Sequence, residues 1–381
     1  MLEKLLASHP DLFTRLHQAI TAERAFYVYQ RIADTYAPSG TATYTRGPVV
    51  QALLAEVCHR GRLAVHRNYR RSGNIAIELG STAQKPVWLM AHADICSYLT
   101  RQHDGAGYRV TPFCEPRKGE GSRAALALAY DEASDAMIEV ARGELGMSRD
   151  GQMRFETDAA ALPPFTRVCY VGQSAWDRAS GFITGYVDDG IGSAALVLAA
   201  QALAETDANA LLVLTDEEEG VVAPGNQAFS RGSARLFART PPEQLPDLVI
   251  VSDLHEEVDA VSRGDLAAIP FGQGALFCGA ASGAKGGVTQ PRLLAFQRDL
   301  ALELARRGIA LHENPGYVSR SDCVSAMAAT PNVALIGAPG AYSHFADTPR
   351  AHIADVVNLA KALVVYTLVA QDAAWREKTL Y

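Results

Sequence analysis

The segment KPVWLMAHAD, Lys85 to Asp94, carries no charge from Pro86 to Ala91 and then turns abruptly polar at His92 and Asp94. A short apolar run bounded by charge suits a strand covered on both faces, where neither side of the pleat needs to be polar. At i and i+2 of an extended chain, His92 and Asp94 share one face. In an open α/β sheet the carboxyl end of such a strand is where ligands bind.

The same pattern recurs on either side. Asn74 to Leu79, Ala210 to Thr215, Asp247 to Ser252 and Val333 to Gly337 are further apolar runs closed by charge, Gly or Pro. Helical stretches lie between them at Gly192 to Glu205, Gln290 to Arg307 and Ala351 to Gln371, and from Leu2 to about Arg60, broken at Ala37-Pro38-Ser39-Gly40. Alternating strands and helices predict an α/β fold with a mostly parallel sheet covered by helices on both faces. From Tyr98 to Arg178 the rhythm fails. Short segments such as Arg123 to Tyr130, Ala136 to Ala141 and Gln152 to Thr157 predict a small β-rich domain over 98–178. It would be inserted in a catalytic domain made of 1–97 and 179–381.

Composition narrows the function classes. The chain has 381 residues, is 48% hydrophobic and 20% charged, and carries a formal net charge of -7. That is ordinary for a soluble enzyme, and with no long Lys/Arg run it predicts no nucleic-acid partner. The amino terminus, MLEKLLASHPDLFTRLHQAI, has no continuous apolar core of a signal peptide, and no apolar run approaches the ~20 residues that span a bilayer. A cytoplasmic protein with no membrane partner is expected. Cys58, Cys96, Cys114, Cys169, Cys278 and Cys323 form no Cys-x-x-Cys pair. They read as small buried residues, offering neither a disulfide framework nor a thiolate metal site.

Five places carry chemistry. His92 ends one strand, with Asp94 placed to orient its ring as carboxylates commonly do for ligating histidines. Asp188-Asp189-Gly190-Ile191-Gly192 opens a helix. One or both acids could be caps, but one could also bridge metals. Asp216-Glu217-Glu218-Glu219-Gly220 follows the Ala210 to Thr215 run. Solvated charge is the ordinary explanation of such a run, yet a metal would relieve its self-repulsion, and one carboxylate could act as general base. Asp253 follows its own strand, trailed by His255, Glu256 and Glu257, which are as readily surface charge. His344 lies in Ala341-Tyr342-Ser343-His344-Phe345. Asp322 and Asp347 read as turn or cap residues. Together these form a nitrogen-and-oxygen donor set suited to zinc, cobalt or manganese.

In this order, His-x-Asp, Asp-Asp-Gly-x-Gly, Glu-Glu-x-Gly, Ser-Asp and Tyr-Ser-His resemble the tetrahedral aminopeptidase family of co-catalytic di-zinc metallopeptidases, which includes deblocking and glutamyl aminopeptidases. The long insertion between Asp94 and Asp188, Ala37-Pro38-Ser39-Gly40 and Ser72-Gly73-Asn74-Ile75 extend the resemblance over nearly the whole chain. It implies a phosphorylase/zinc-peptidase-like sheet, two divalent metal ions per chain (zinc first, with cobalt or manganese as substitutes), a peptide substrate and a homo-oligomer. The inserted domain would serve dimerisation or the substrate cleft. Asp188 would bridge the metals, or else Asp189. His92 and Asp253 would complete one site, Glu218 and His344 the other, with Glu217 as general base and Asp94 behind His92. Shifting the acidic run by one would instead make Glu218 the base and Glu219 the ligand. The chain departs from the family at Ile95, where an acid is usual, and at Gly190, where Arg is common; neither position ligates metal. The expected activity is removal of amino-terminal residues from peptides by water activated between two metals. An N-deacylase or dipeptidase on the same scaffold, or a silent scaffold protein, are the alternatives.

Overall fold

The computed structural model describes residues 2–57, 63–105, 107–114, 121–147, 152–159, 161–220, 230–256, 270–281, 286–317 and 319–381. Cys58 and Glu257 lie outside them.

An 11-stranded mixed sheet forms the frame. Its centre is parallel: Ala210–Thr215, Val87–His92, Leu248–Glu256 and Val333–Ala341 lie side by side in that order. The flanks are antiparallel, with Leu63–His66 and Ile75–Leu79 on one side and Arg350–His352, Phe182–Thr184 and Ala175–Trp176 on the other. The expectation of a mostly parallel sheet is therefore corrected to a mixed sheet with a parallel core. Where flanking strands adjacent in sequence pair, as Leu63–His66 with Ile75–Leu79 and Ala175–Trp176 with Phe182–Thr184, a short connection returns the chain antiparallel.

Every residue of Val87–His92 and Ala210–Thr215 is buried. Alternate side chains serve opposite cores, as the period of two requires. Leu89, Ala91, Leu212 and Leu214 belong to the larger cluster, and Trp88, Met90, Leu211 and Val213 to the smaller. The larger side holds the helices Gly190–Leu203 and Ile353–Ala370; the smaller is closed by Leu236, Cys323 and Ala326 from two short helices. Ile353–Ala370 is long and apolar enough to cross a membrane, but 83% of it is buried within the fold, as in the core helix of a globular protein.

Two expected strands run further than their apolar runs. Leu248–Glu256 and Val333–Ala341 stay paired past Ser252 and Gly337, with Asp253 opposite Gly337 and His255 opposite Pro339. A Cβ on Gly337 would stand 1.8 Å from the Asp253 carbonyl oxygen, so only glycine admits this pairing. The segment after Asp94 forms a closed six-stranded barrel whose strands begin at Tyr98 and end at Tyr170.

Candidate metal centre

Parallel pairing sets Thr215 beside His92, so the carboxyl ends of neighbouring strands deliver their polar residues to one place. The Asp188–Asp189 pair arrives from the start of the central helix. Asp189 is its cap: the carboxylate accepts from the Gly192 N–H at 3.0 Å, and a side chain at 192 would collide with it. That leaves Asp188 facing the strand ends across a cis peptide. Its Oδ1 lies 3.0 Å from His92 Nε2 and its Oδ2 lies 3.7 Å from His344 Nε2. One carboxylate thus presents one oxygen to each histidine.

Around His92 the arrangement is ordered from behind. The Asp94 carboxylate stands 3.7 Å from Nδ1, whose nearer partner is the Asp94 carbonyl oxygen at 3.1 Å. Ser193 Oγ donates to the His92 carbonyl, and the buried Arg46 guanidinium donates to that of Ala93. Asp253 Oδ1 lies 3.7 Å from His92 Nε2, while Tyr317 donates its hydroxyl to Asp253 Oδ2. His92, Asp188 and Asp253 therefore form one group with donor atoms within 4.8 Å of one another.

The acidic run resolves residue by residue. Asp216 accepts the backbone N–H groups of Gly40 and Ala42 and so ties down the amino-terminal loop. Glu217, the expected base, has a left-handed backbone, and its carboxylate is paired with cations. Arg235 grips it at 2.8 Å, with Arg231 at 3.6 Å. Glu218, the expected ligand beside His344, is buried, and its Oε1 meets no hydrogen-bond partner. Glu219 is the residue that reaches His344, at 3.7 Å. Within the run, Glu219 rather than Glu218 is the carboxylate beside His344. The strand ends at Thr215, the backbone turns left-handed at Glu217, and Glu218 and Glu219 beyond it are buried. Asp94 holds this turn, accepting from the N–H of Glu218 at 3.0 Å and of Glu219 at 3.3 Å, and Ser39 Oγ donates to it at 2.6 Å.

Sequence reasoning missed two further participants. Glu256, as readily surface charge as a contributor beside Asp253, accepts the backbone N–H groups of Tyr342 and Ser343 and so fixes the loop that carries His344. Cys96, read as inert, donates from Sγ to Glu219 Oε1 at 3.1 Å and forms a second donor group with Glu219 and His344. Its place four residues past His92, close to the same strand end, was the available signal. His255 belongs to neither donor group. Its ring stacks on Tyr317 and receives Asn314 Nδ2, and burial lowers its pKa to about 3. Asp322 is buried against the Thr215 hydroxyl, and Asp347 is exposed and accepts the Thr348 N–H.

The electrostatics describe a site short of positive charge. Burial, then the Asp188 charge, raises the Asp253 pKa to about 7. Burial, above all, raises that of Glu219, and takes those of Asp189 and Glu218 well above the carboxylate range. Burial alone would lower His92, but the Glu218, Asp188 and Asp94 carboxylates outweigh it and hold the imidazole well above its usual value. Carboxylates buried at this density ionise together only when cations join them. With unpartnered Oδ2 of Asp189 and Oε1 of Glu218 nearby, the donor set fits divalent metals.

No protein-family model matches the chain, and no curated protein matches it. Solved structures do. A TET aminopeptidase from the marine sediment archaeon Thaumarchaeota archaeon SCGC AB-539-E09 superposes with a TM-score of 0.73 at 13% identity, covering 93% of this chain and 99% of that one. The Pyrococcus horikoshii TET1 peptidase, described as assembling into a tetrahedron or a large octahedral shell, gives 0.66 at 15%, covering 90% and 99%. A Thermotoga maritima structure named an endoglucanase gives 0.59 at 14%, covering 93% and 99%. The chain shares the fold of these proteins along nearly its whole length.

Proposed function

We propose that this chain is a two-metal aminopeptidase of the tetrahedral aminopeptidase kind. The observation that carries the reading is Asp188, whose two carboxylate oxygens address His92 and His344 separately. His92 and Asp253 would hold one ion, Glu219 and His344 the other, with Asp188 between them. Bound divalent metals supply Lewis acidity, polarising a peptide carbonyl and acidifying water. Glu218 acts as general base: its buried, unpartnered Oε1 accepts the proton of the attacking water and returns it to the leaving amine. Asp94 keeps His92 in one ring orientation and fixes the backbone of Glu218 and Glu219. Glu217 becomes a structural anchor for Arg235.

The fold is also worn by a protein named an endoglucanase, so the residues must argue the chemistry. Glycoside hydrolysis uses two carboxylates and has no need of paired imidazoles sharing a third acid. The two histidines facing Asp188 favour metal-assisted amide hydrolysis. We further read the barrel as an assembly surface of a homo-oligomer: its long hairpin exposes Tyr130, Ile138 and Val140, and a structure of the same fold assembles into closed shells. The described cysteines are unpaired and buried, which agrees with a cytoplasmic setting.

The test is metal content of protein purified without added metal, joined to hydrolysis of an aminoacyl-anilide panel before and after chelation. About two metals per chain, with activity lost on chelation and restored by zinc, cobalt or manganese, is expected. Turnover of acylated amino acids or dipeptides alone would move the reading to a deacylase or dipeptidase. No metal and no turnover would leave a silent scaffold.

A further inference from the structure

The two donor groups differ in kind. His92, Asp188 and Asp253 offer nitrogen and oxygen, whereas the group at Glu219 and His344 includes the sulfur of Cys96. All three of its donor atoms lie within 4.8 Å of one another. Cys96 Sγ lies 3.1 Å from Glu219 Oε1, and Glu219 Oε2 lies 3.7 Å from His344 Nε2, so the glutamate stands between thiol and imidazole. Cys96 is fixed from the backbone as well: the preceding Ile95 donates its N–H to Ala37 and pairs with Pro38, which pins the loop after Asp94 against the amino-terminal segment. A cysteine that merely filled apolar space would have no reason to face a carboxylate and an imidazole together.

We propose that Cys96 is a metal ligand, binding as a thiolate with Glu219 and His344 at one of the two centres. This rests on the two-metal reading above and gives it an asymmetry. On metal binding the Cys96 S–H proton leaves to solvent and the sulfur lone pair is donated, with no change of oxidation state. A thiolate makes this centre softer than its all-nitrogen-and-oxygen neighbour, favouring zinc, cobalt or cadmium over manganese or magnesium.

The test titrates the metal-free full-length chain with cobalt(II), reading bound metal and absorption together. The wild-type chain should develop a near-ultraviolet thiolate-to-cobalt charge-transfer band with one of its two equivalents. Cys96→Ser and Cys96→Ala should lose that band, keep the visible ligand-field bands of the other equivalent, and bind the affected ion at least about tenfold more weakly. Cys114→Ser should keep the band. Cobalt bound without the band, or a band that survives Cys96→Ala, overturns the thiolate ligand while leaving the two-metal reading standing. No cobalt bound at all overturns the two-metal reading itself. Should the variants fail to fold, the wild-type cobalt spectrum and the corresponding cadmium–thiolate absorption decide the matter alone.

Discussion

Substituting glutamine for each of two adjacent glutamates separates the two registers of the acidic run. Glu218→Gln keeps the volume and the backbone bond to Asp94 but removes the buried oxygen that accepts a proton. Loss of a positioned general base costs about 10²–10⁴ in kcat, which is roughly 3–5 kcal/mol of barrier, with metal content unchanged. Glu217→Gln removes the 2.8 Å ion pair with Arg235, whose side chain is 35% exposed against 16% for Glu217. An ion pair this open to solvent contributes about 1 kcal/mol or less, and nothing about it touches the metal groups. The expected result is kcat within about threefold of the unsubstituted chain and a small fall in melting temperature, about 2 °C at most. Both variants are assayed on the best aminoacyl-anilide, with bound metal measured on the same samples. Loss of turnover in Glu217→Gln with full metal content, together with metal loss in Glu218→Gln, would refute the argument and restore the unshifted register.

Other substitutions probe the surroundings. Asp188→Asn should weaken both metals together, where Asp253→Asn should weaken one; metal analysis after dialysis distinguishes them. Glu256→Gln leaves the Tyr342 and Ser343 N–H groups a poorer partner and should cost about 10–100-fold in affinity for the ion near His344, sparing the other. His255, held near pKa 3 by burial, should make the metal-free fold lose stability as pH falls below the unfolded value of ~6.5, because the unfolded chain takes up the proton first. By pH 5 that loss is about 2 kcal/mol, and it should be missing from His255→Gln when the two are compared by urea unfolding at pH 7 and pH 5. Ile138→Glu on the barrel hairpin should shift the chain towards smaller species by light scattering without changing kcat per chain.

The strand ends were legible because apolar runs buried on both faces stop abruptly at acids and histidines; Val87–His92 and Ala210–Thr215 show it directly. The β-rich character after Asp94 was legible from the missing helical period, though closure into a barrel was not, since closure depends on pairings between segments far apart. The acidic run hid its register because four consecutive carboxylates carry no internal contrast. The backbone turns left-handed at Glu217, inside the run, and a non-glycine residue gives little local sign of adopting that conformation. The role of Glu256 was not legible because its apolar run ends at Ser252. Backbone pairing with Val333–Ala341 carries the strand four residues further, past that run.

Asp94 shows why the site depends on contacts that no local pattern contains. Its carboxylate is buried, and a buried acid is costly unless donors surround it. Here the donors come from two places remote in sequence: the Ser39 hydroxyl, 55 residues earlier, and the Glu218 and Glu219 N–H groups, more than 120 residues later. The same side chain stands 3.7 Å behind the His92 ring. One acid thus sets the angle of an imidazole on one side of Asp188 and the backbone of the acidic turn on the other. Removing its charge would loosen both metal groups at once, although it touches the donor atoms of neither beyond His92. Asp94 would thus support from behind the two donor groups that Asp188 faces, held in place by three separate donors.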